Sequence, residues 1–208
     1  MQPTTIQHDP DVHINETYGT IEVALVDDLK SGGVGPASTE VIGYVDVMSP
    51  EPIIYFNKDR YFKAPPRNSY MYRHELTHVL QKEMVAEKAG GYPSVWNPVK
   101  SYTYYYYLLK LNYDLAKVMP TDNHDAHEHS MVSGLEVSAD CYAQKVEYIG
   151  KPMQYLGSVG CNAEQKYIAM ALISGRWPTP LNDEEKAEAY KRFEAQNNRL
   201  TTSKEAGK

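Results

Sequence analysis

The fold turns on the stretch Ser69-Tyr70-Met71-Tyr72-Arg73-His74-Glu75-Leu76-Thr77-His78-Val79-Leu80-Gln81-Lys82-Glu83-Met84. Leu76, Val79, Leu80 and Met84 recur on a helical period. Asn68 or Ser69 offers an N-cap and Gly90-Gly91 a stop, so a helix is predicted over about 69–89. On it His74 and His78 stand four residues apart, on one face. Two imidazoles so placed can grip one zinc ion and leave its other positions open. Glu75, one step along, can take a proton from a water that the ion activates. A solvated helix that merely carries two histidines would not need the apolar stripe or the caps.

A catalytic zinc takes a third protein ligand. A metzincin would have a histidine six residues after His78; that position is Met84, which excludes the class. The better candidate is Glu136, in Gly134-Leu135-Glu136-Val137-Ser138-Ala139-Asp140-Cys141. The E-x-x-x-D spacing puts Glu136 and Asp140 on one face of a second helix, expected over about 130–148. Glu136 can bind the metal. Asp140 can accept the other N–H of a ligand histidine and fix its tautomer.

With these two motifs the chain resembles the gluzincin zinc metallopeptidases, the class that includes thermolysin and the single-domain minigluzincins. The wording Glu136-Val137-Ser138-Ala139-Asp140-Cys141-Tyr142-Ala143 is also similar to small bacterial neutral zinc metallopeptidases. The resemblance implies a zincin-like fold and one zinc per chain, held by His74, His78 and Glu136. It also implies Glu75 as general base and Asp140 as support for a ligand histidine. The spacer between His78 and Glu136 is longer than thermolysin's, a departure from that pattern.

At 208 residues the chain can bury one sizeable core, and its net charge of −6 argues against a nucleic-acid partner. No apolar stretch is long enough to span a membrane, and the N-terminus lacks a secretory leader. A cytoplasmic or virion-associated protein is therefore expected over a classically secreted one. Eighteen tyrosines against three phenylalanines read as amphipathic packing.

The expected architecture is α+β, a small, mainly antiparallel N-terminal sheet packed on a helical bundle that carries the zinc site. Strands are predicted at 20–26, 41–47 and 53–57. Residues 53–57 or the preceding strand are candidates for a sheet edge on which a peptide could pair. Helices are predicted from Ser101 to about Val118, from Asn162 to Ser174 and from Asn182 to about Asn197. Residues 1–18 read as an extended arm, 19–177 as the metallopeptidase domain and 178–208 as a peripheral helix with a tail disordered from residue 198. Arm and tail are candidates for docking into a larger assembly.

Three further features stay open. His124, His127 and His129 could hold a second metal, replace Glu136, donate a proton or stabilise an oxyanion, or simply line a polar loop. One of Tyr102, Tyr104, Tyr105, Tyr106 and Tyr107 could supply an oxyanion donor, or all could pack the helix on the core. Cys141 and Cys161 could bridge, as cysteines at comparable places in the resembling peptidases suggest, or stay free in a reducing compartment.

Two functions compete. One is hydrolysis of peptide bonds in a peptide or protein substrate, with zinc and Glu75. The other is a non-enzymatic structural or virion-associated component, in which zinc only pins two helices. An intact Glu75 favours the first, because a purely structural site has no use for a base.

Overall fold

The computed structural model describes residues 4–5, 20–26, 43–57, 69–120, 133–144 and 161–205. Its centre is helix α1, Tyr70–Ala89. Every residue from Glu75 to Lys82 on this helix is buried, whereas a helix lying on a surface buries one stripe. The reason is that α1 is flanked by a sheet on one side and by three helices elsewhere. Ser69 caps its start, accepting a hydrogen bond from the Tyr72 N–H, and Gly90 ends it in the left-handed conformation.

The strands are β1, Thr4–Thr5; β2, Thr20–Val26; β3, Gly43–Tyr44; and β4, Ile53–Asn57. Their order across the sheet is β1-β2-β4-β3. The expectation of a mainly antiparallel sheet needs correction. The longest pairing, β2 with β4, is parallel, running from Glu22 opposite Ile53 to Val26 opposite Asn57. The sheet is mixed because β3, between them in sequence, lies outside β4 and antiparallel to it. This leaves β4 interior, with β3 at one edge of the described strands and β1 at the other. β3 is also shorter than the predicted strand at 41–47, of which 41–42 lie outside the described residues.

Ile21, Val23, Ile54 and Phe56 bury one face of the sheet against Leu76, Val79, Leu80, Met84 and Val85 of α1. The other helices are α2, Pro98–Val118; α3, Ser133–Ala143; α4, Ala163–Ile173; and α5, Asp183–Glu205. The chain is thus α+β. α2 and α3 pack against α1 and each other, and α4 closes the bundle. The α4 capping box forms as predicted, with Asn162 and Gln165 exchanging side-chain and backbone bonds. Asn182 and Glu185 do the same ahead of α5. The predicted ends of the second motif helix, 130–132 and 145–148, lie outside the described residues.

α5 runs on to Glu205, past residue 197, where the predicted helix was expected to end. The sequence offers no glycine or proline between Asn182 and Gly207 to stop it. Most of the N-terminal arm lies outside the described residues; Thr4 and Thr5 pair with Ile21 and Thr20.

Candidate metal centre

α1 and α3 bring the two motifs together. His74 and His78 project from one face of α1, with their Nε2 atoms 3.2 Å apart. Glu136, in the first turn of α3, places one carboxylate oxygen 3.1 Å from His74 Nε2 and the other 3.4 Å from His78 Nε2. These spacings match the roughly 3.3 Å edge of a tetrahedron whose bonds are about 2.0–2.1 Å long, the length of zinc bonds to nitrogen and oxygen. The three side chains form a donor set able to hold a metal ion.

Each imidazole is fixed from behind. His74 Nδ1 donates to Asp140 Oδ1 at 2.9 Å. The Tyr70 hydroxyl donates to the same oxygen, so Asp140 is itself held in place. His78 Nδ1 donates to Gln81 Oε1 at 2.8 Å. With Nδ1 carrying the proton in both rings, each Nε2 is free to give its lone pair to a metal. Gln81 does more. Its amide donates to the Leu135 carbonyl and the Ser138 hydroxyl at 3.0 and 2.8 Å, tying α1 to α3 beside Glu136.

α3 is positioned from a third helix. The Asn112 side chain of α2 accepts from the backbone N–H groups of Gly134 and Leu135. It serves as an N-cap supplied from a neighbouring element, satisfying donors that a helix start leaves unpaired. Gly134 permits this approach: a Cβ there would collide with the Asn112 carbonyl and lie 2.7 Å from the Ala116 nitrogen. Glu136 thus owes its position to α2 as well as to its own helix.

Glu75 is buried beside this cluster. Among the described residues its carboxylate makes no hydrogen bond. Burial raises its pKa, with the neighbouring His74 and His78 opposing and Glu136 adding to the rise. Burial also pushes the Glu136 carboxyl up, but His78 and His74 outweigh it and hold that group well below the usual carboxylate range. For His74 burial disfavours the charged ring, yet Asp140 and Glu136 hold it well above the ordinary histidine value. His78 is raised against burial mainly by Glu136.

His124, His127 and His129 lie outside the described residues. The tyrosines of α2 are turned to other tasks. The Tyr104 hydroxyl donates to the Val47 carbonyl, Tyr107 packs edge-on against Trp177, and Tyr102, Tyr105 and Tyr106 are exposed. Cys141 and Cys161 are bridged, linking the residue after Asp140 to the start of α4.

Tyr70, Gln81, Asn112 and Gly43 escaped the sequence reading. Two of them carried a signal: Tyr70 precedes His74 by one helical turn, and Gln81 follows His78 at the i,i+3 spacing of a contact on the same face. Asn112 caps a helix other than its own, and Gly43 lies against Glu75, where an added Cβ would sit 2.5 Å from Glu75 Oε1; no local spacing encodes either contact.

No protein-family model, curated protein or solved structure matches this chain.

Proposed function

We propose that this chain is a zinc-dependent peptidase. The observation that carries the reading is a buried carboxylate, Glu75, with no hydrogen bond to a described residue, beside a tetrahedrally spaced set of two histidines and a glutamate. A metal that only pinned α1 to α3 would need His74, His78 and Glu136; it would have no use for Glu75. A carboxylate placed beside the donor set and bonded to no described residue is one that proton transfer can use.

His74, His78 and Glu136 would hold the ion. When bound, zinc supplies Lewis acidity and brings the pKa of a coordinated water toward neutrality. Glu75 accepts a proton at its carboxylate and returns it to the leaving amine. Its raised pKa suits both halves of that task. Asp140 and Gln81 hold the imidazole rings in the tautomer and orientation that binding requires. The substrate is an extended peptide paired on β3, whose Gly43 lies directly against Glu75. Strand addition there would bring a backbone amide to the base through main-chain hydrogen bonds.

The test is Glu75→Gln, compared with the parent for bound zinc and for cleavage of an unstructured protein. Retained zinc with cleavage abolished is the expected outcome. A variant as active as the parent would sink the assignment.

A further inference from the structure

Helix α2 carries two apolar faces. One, with Tyr104, Leu111 and Leu115, is buried against the domain. The other is turned outward and carries Val99, Tyr102, Tyr106, Leu109 and Tyr113, with Val95 in the turn before it. Val99 and Leu109 are 75% and 69% exposed, and neither has a polar tip to offer water. Trp96, next to Val95, is 93% exposed. A helix needs one apolar stripe to stay on its domain. The second has no role inside the described residues.

The spacing of this second stripe identifies what fits it. Along α2 from Val99 to Tyr113 the steps are three, four, three and four residues, the a/d repeat of a helix that packs knobs-into-holes on another helix. The four exposed aromatics here, Trp96, Tyr102, Tyr106 and Tyr113, offer roughly 450–750 Å² at about 150–250 Å² per aromatic side chain scaled by exposure. Doubled by a two-fold axis, that reaches the roughly 1,200–2,000 Å² of a stable interface. The row is also self-complementary. With the axis at the level of Tyr104, Val99 faces Leu109 and Tyr102 faces Tyr106. In this antiparallel register Lys110 of one copy meets Pro98 of the other. A parallel pair would align rather than oppose the helix dipoles.

We propose that two copies of this chain dimerise through this outward face of α2, antiparallel about a two-fold axis beside Tyr104. The contact also bears on the metal centre, since Asn112 of the same helix caps α3 two residues before Glu136.

The test uses the full chain, by sedimentation equilibrium at micromolar concentrations. The parent should be dimeric. Tyr102→Glu combined with Leu109→Glu should weaken association at least about 100-fold, since two central side chains of hot-spot size are replaced, with circular dichroism and zinc content unchanged. Orientation is read by cross-linking, because the two native cysteines are already bridged. Val99→Cys mixed with Leu109→Cys should form a disulfide-linked pair under mild oxidation, and Leu109→Cys alone should not. A parent that stays monomeric overturns the proposal, whether its α2 face binds anionic lipid vesicles or nothing. So does a dimer that survives the double substitution, which would place the interface elsewhere, or a Leu109→Cys chain that cross-links to itself.

Discussion

Gly43 of β3 lies so close to Glu75 that a Cβ added there would sit 2.5 Å from Glu75 Oε1. The edge strand and the proposed base are therefore in contact through bare backbone, and the room for the carboxylate is set by the absence of a side chain. Gly43→Ala should leave zinc binding intact, because His74, His78 and Glu136 do not touch β3 through this residue. It should displace Glu75 and reduce cleavage by about 100-fold, the scale of a misplacement near 1 Å. Zinc stoichiometry and kcat/KM measured on the same preparation check this. Unchanged kcat/KM would mean that β3 does not position the base.

The two imidazoles rest on different supports, and the difference is measurable. Asp140→Ala removes a charged acceptor from His74, and Gln81→Leu removes a neutral one from His78. Each should weaken zinc binding by about 10–100-fold. Gln81→Leu should also lower stability by about 1–3 kcal/mol, because two neutral hydrogen bonds from α1 to α3, to the Leu135 carbonyl and the Ser138 hydroxyl, are lost at about 0.5–1.5 kcal/mol each. Competition against a fluorescent chelator gives the affinities, and urea unfolding of the metal-free protein gives the stability.

What the sequence made legible was whatever repeats along one element. His74, Glu75 and His78 are neighbours on α1, and Glu136 and Asp140 are neighbours on α3, so spacing alone placed them. The helix ends were legible for the same reason, since Ser69, Gly90, Asn162 and Gln165 act within a turn of their own position. The parallel pairing of β2 with β4 was not legible, because strand direction depends on how residues 27–52 return and not on alternation within a strand. Asn112 capping a different helix and Gly43 pressed on Glu75 belong to the same category: each depends on which elements meet.

Protons should compete with a metal ion for this donor set. Without the ion, His74 and His78 have folded pKa values above their ordinary 6.5, so their pairing stabilises the fold fully below that value. That contribution is lost as pH rises through the raised values. Glu136, held low, contributes above its ordinary 4.5 and loses its contribution as pH falls through its folded value. The metal-free protein should therefore gain most from this cluster in mildly acidic solution. Zinc needs the imidazoles deprotonated, so its affinity should climb with pH until the raised histidine values are passed. Calorimetry at neutral pH in buffers of different ionisation enthalpy should register protons released on binding. No release would count against the raised pKa values of these rings.

The Cys141–Cys161 bridge closes a loop of 20 residues. Restricting the unfolded chain by a loop of that length stabilises the fold by about 3 kcal/mol. Reduction, or Cys161→Ser, should lower stability by that amount in urea unfolding. Zinc affinity should fall less, since Asp140 is still held by α3 and by Tyr70.

Lys82, one turn beyond His78, buries its ammonium completely. It donates to the carbonyls of Asp46, Ser49 and Glu51 in the turn between β3 and β4. The Asp46 and Glu51 carbonyls also accept from the Ser49 and Ile53 N–H groups, and the lysine adds a common donor by which α1 fixes this turn beside the candidate metal centre. Hydrogen bonds to a charged donor contribute about 1.5–3 kcal/mol each, against a desolvation cost of several kcal/mol for the buried ion. Lys82→Met keeps the length of the stem and removes all three bonds, so the net loss should be about the size of one such bond. The pH dependence separates this from a packing effect. Burial lowers the Lys82 pKa below its ordinary 10.5. In the window between the folded value and 10.5 the unfolded chain binds more protons, so the parent gains stability with rising pH and the methionine variant does not. The gap between the two in urea unfolding should therefore widen as pH rises into that window; a gap that stays constant would assign the loss to packing alone.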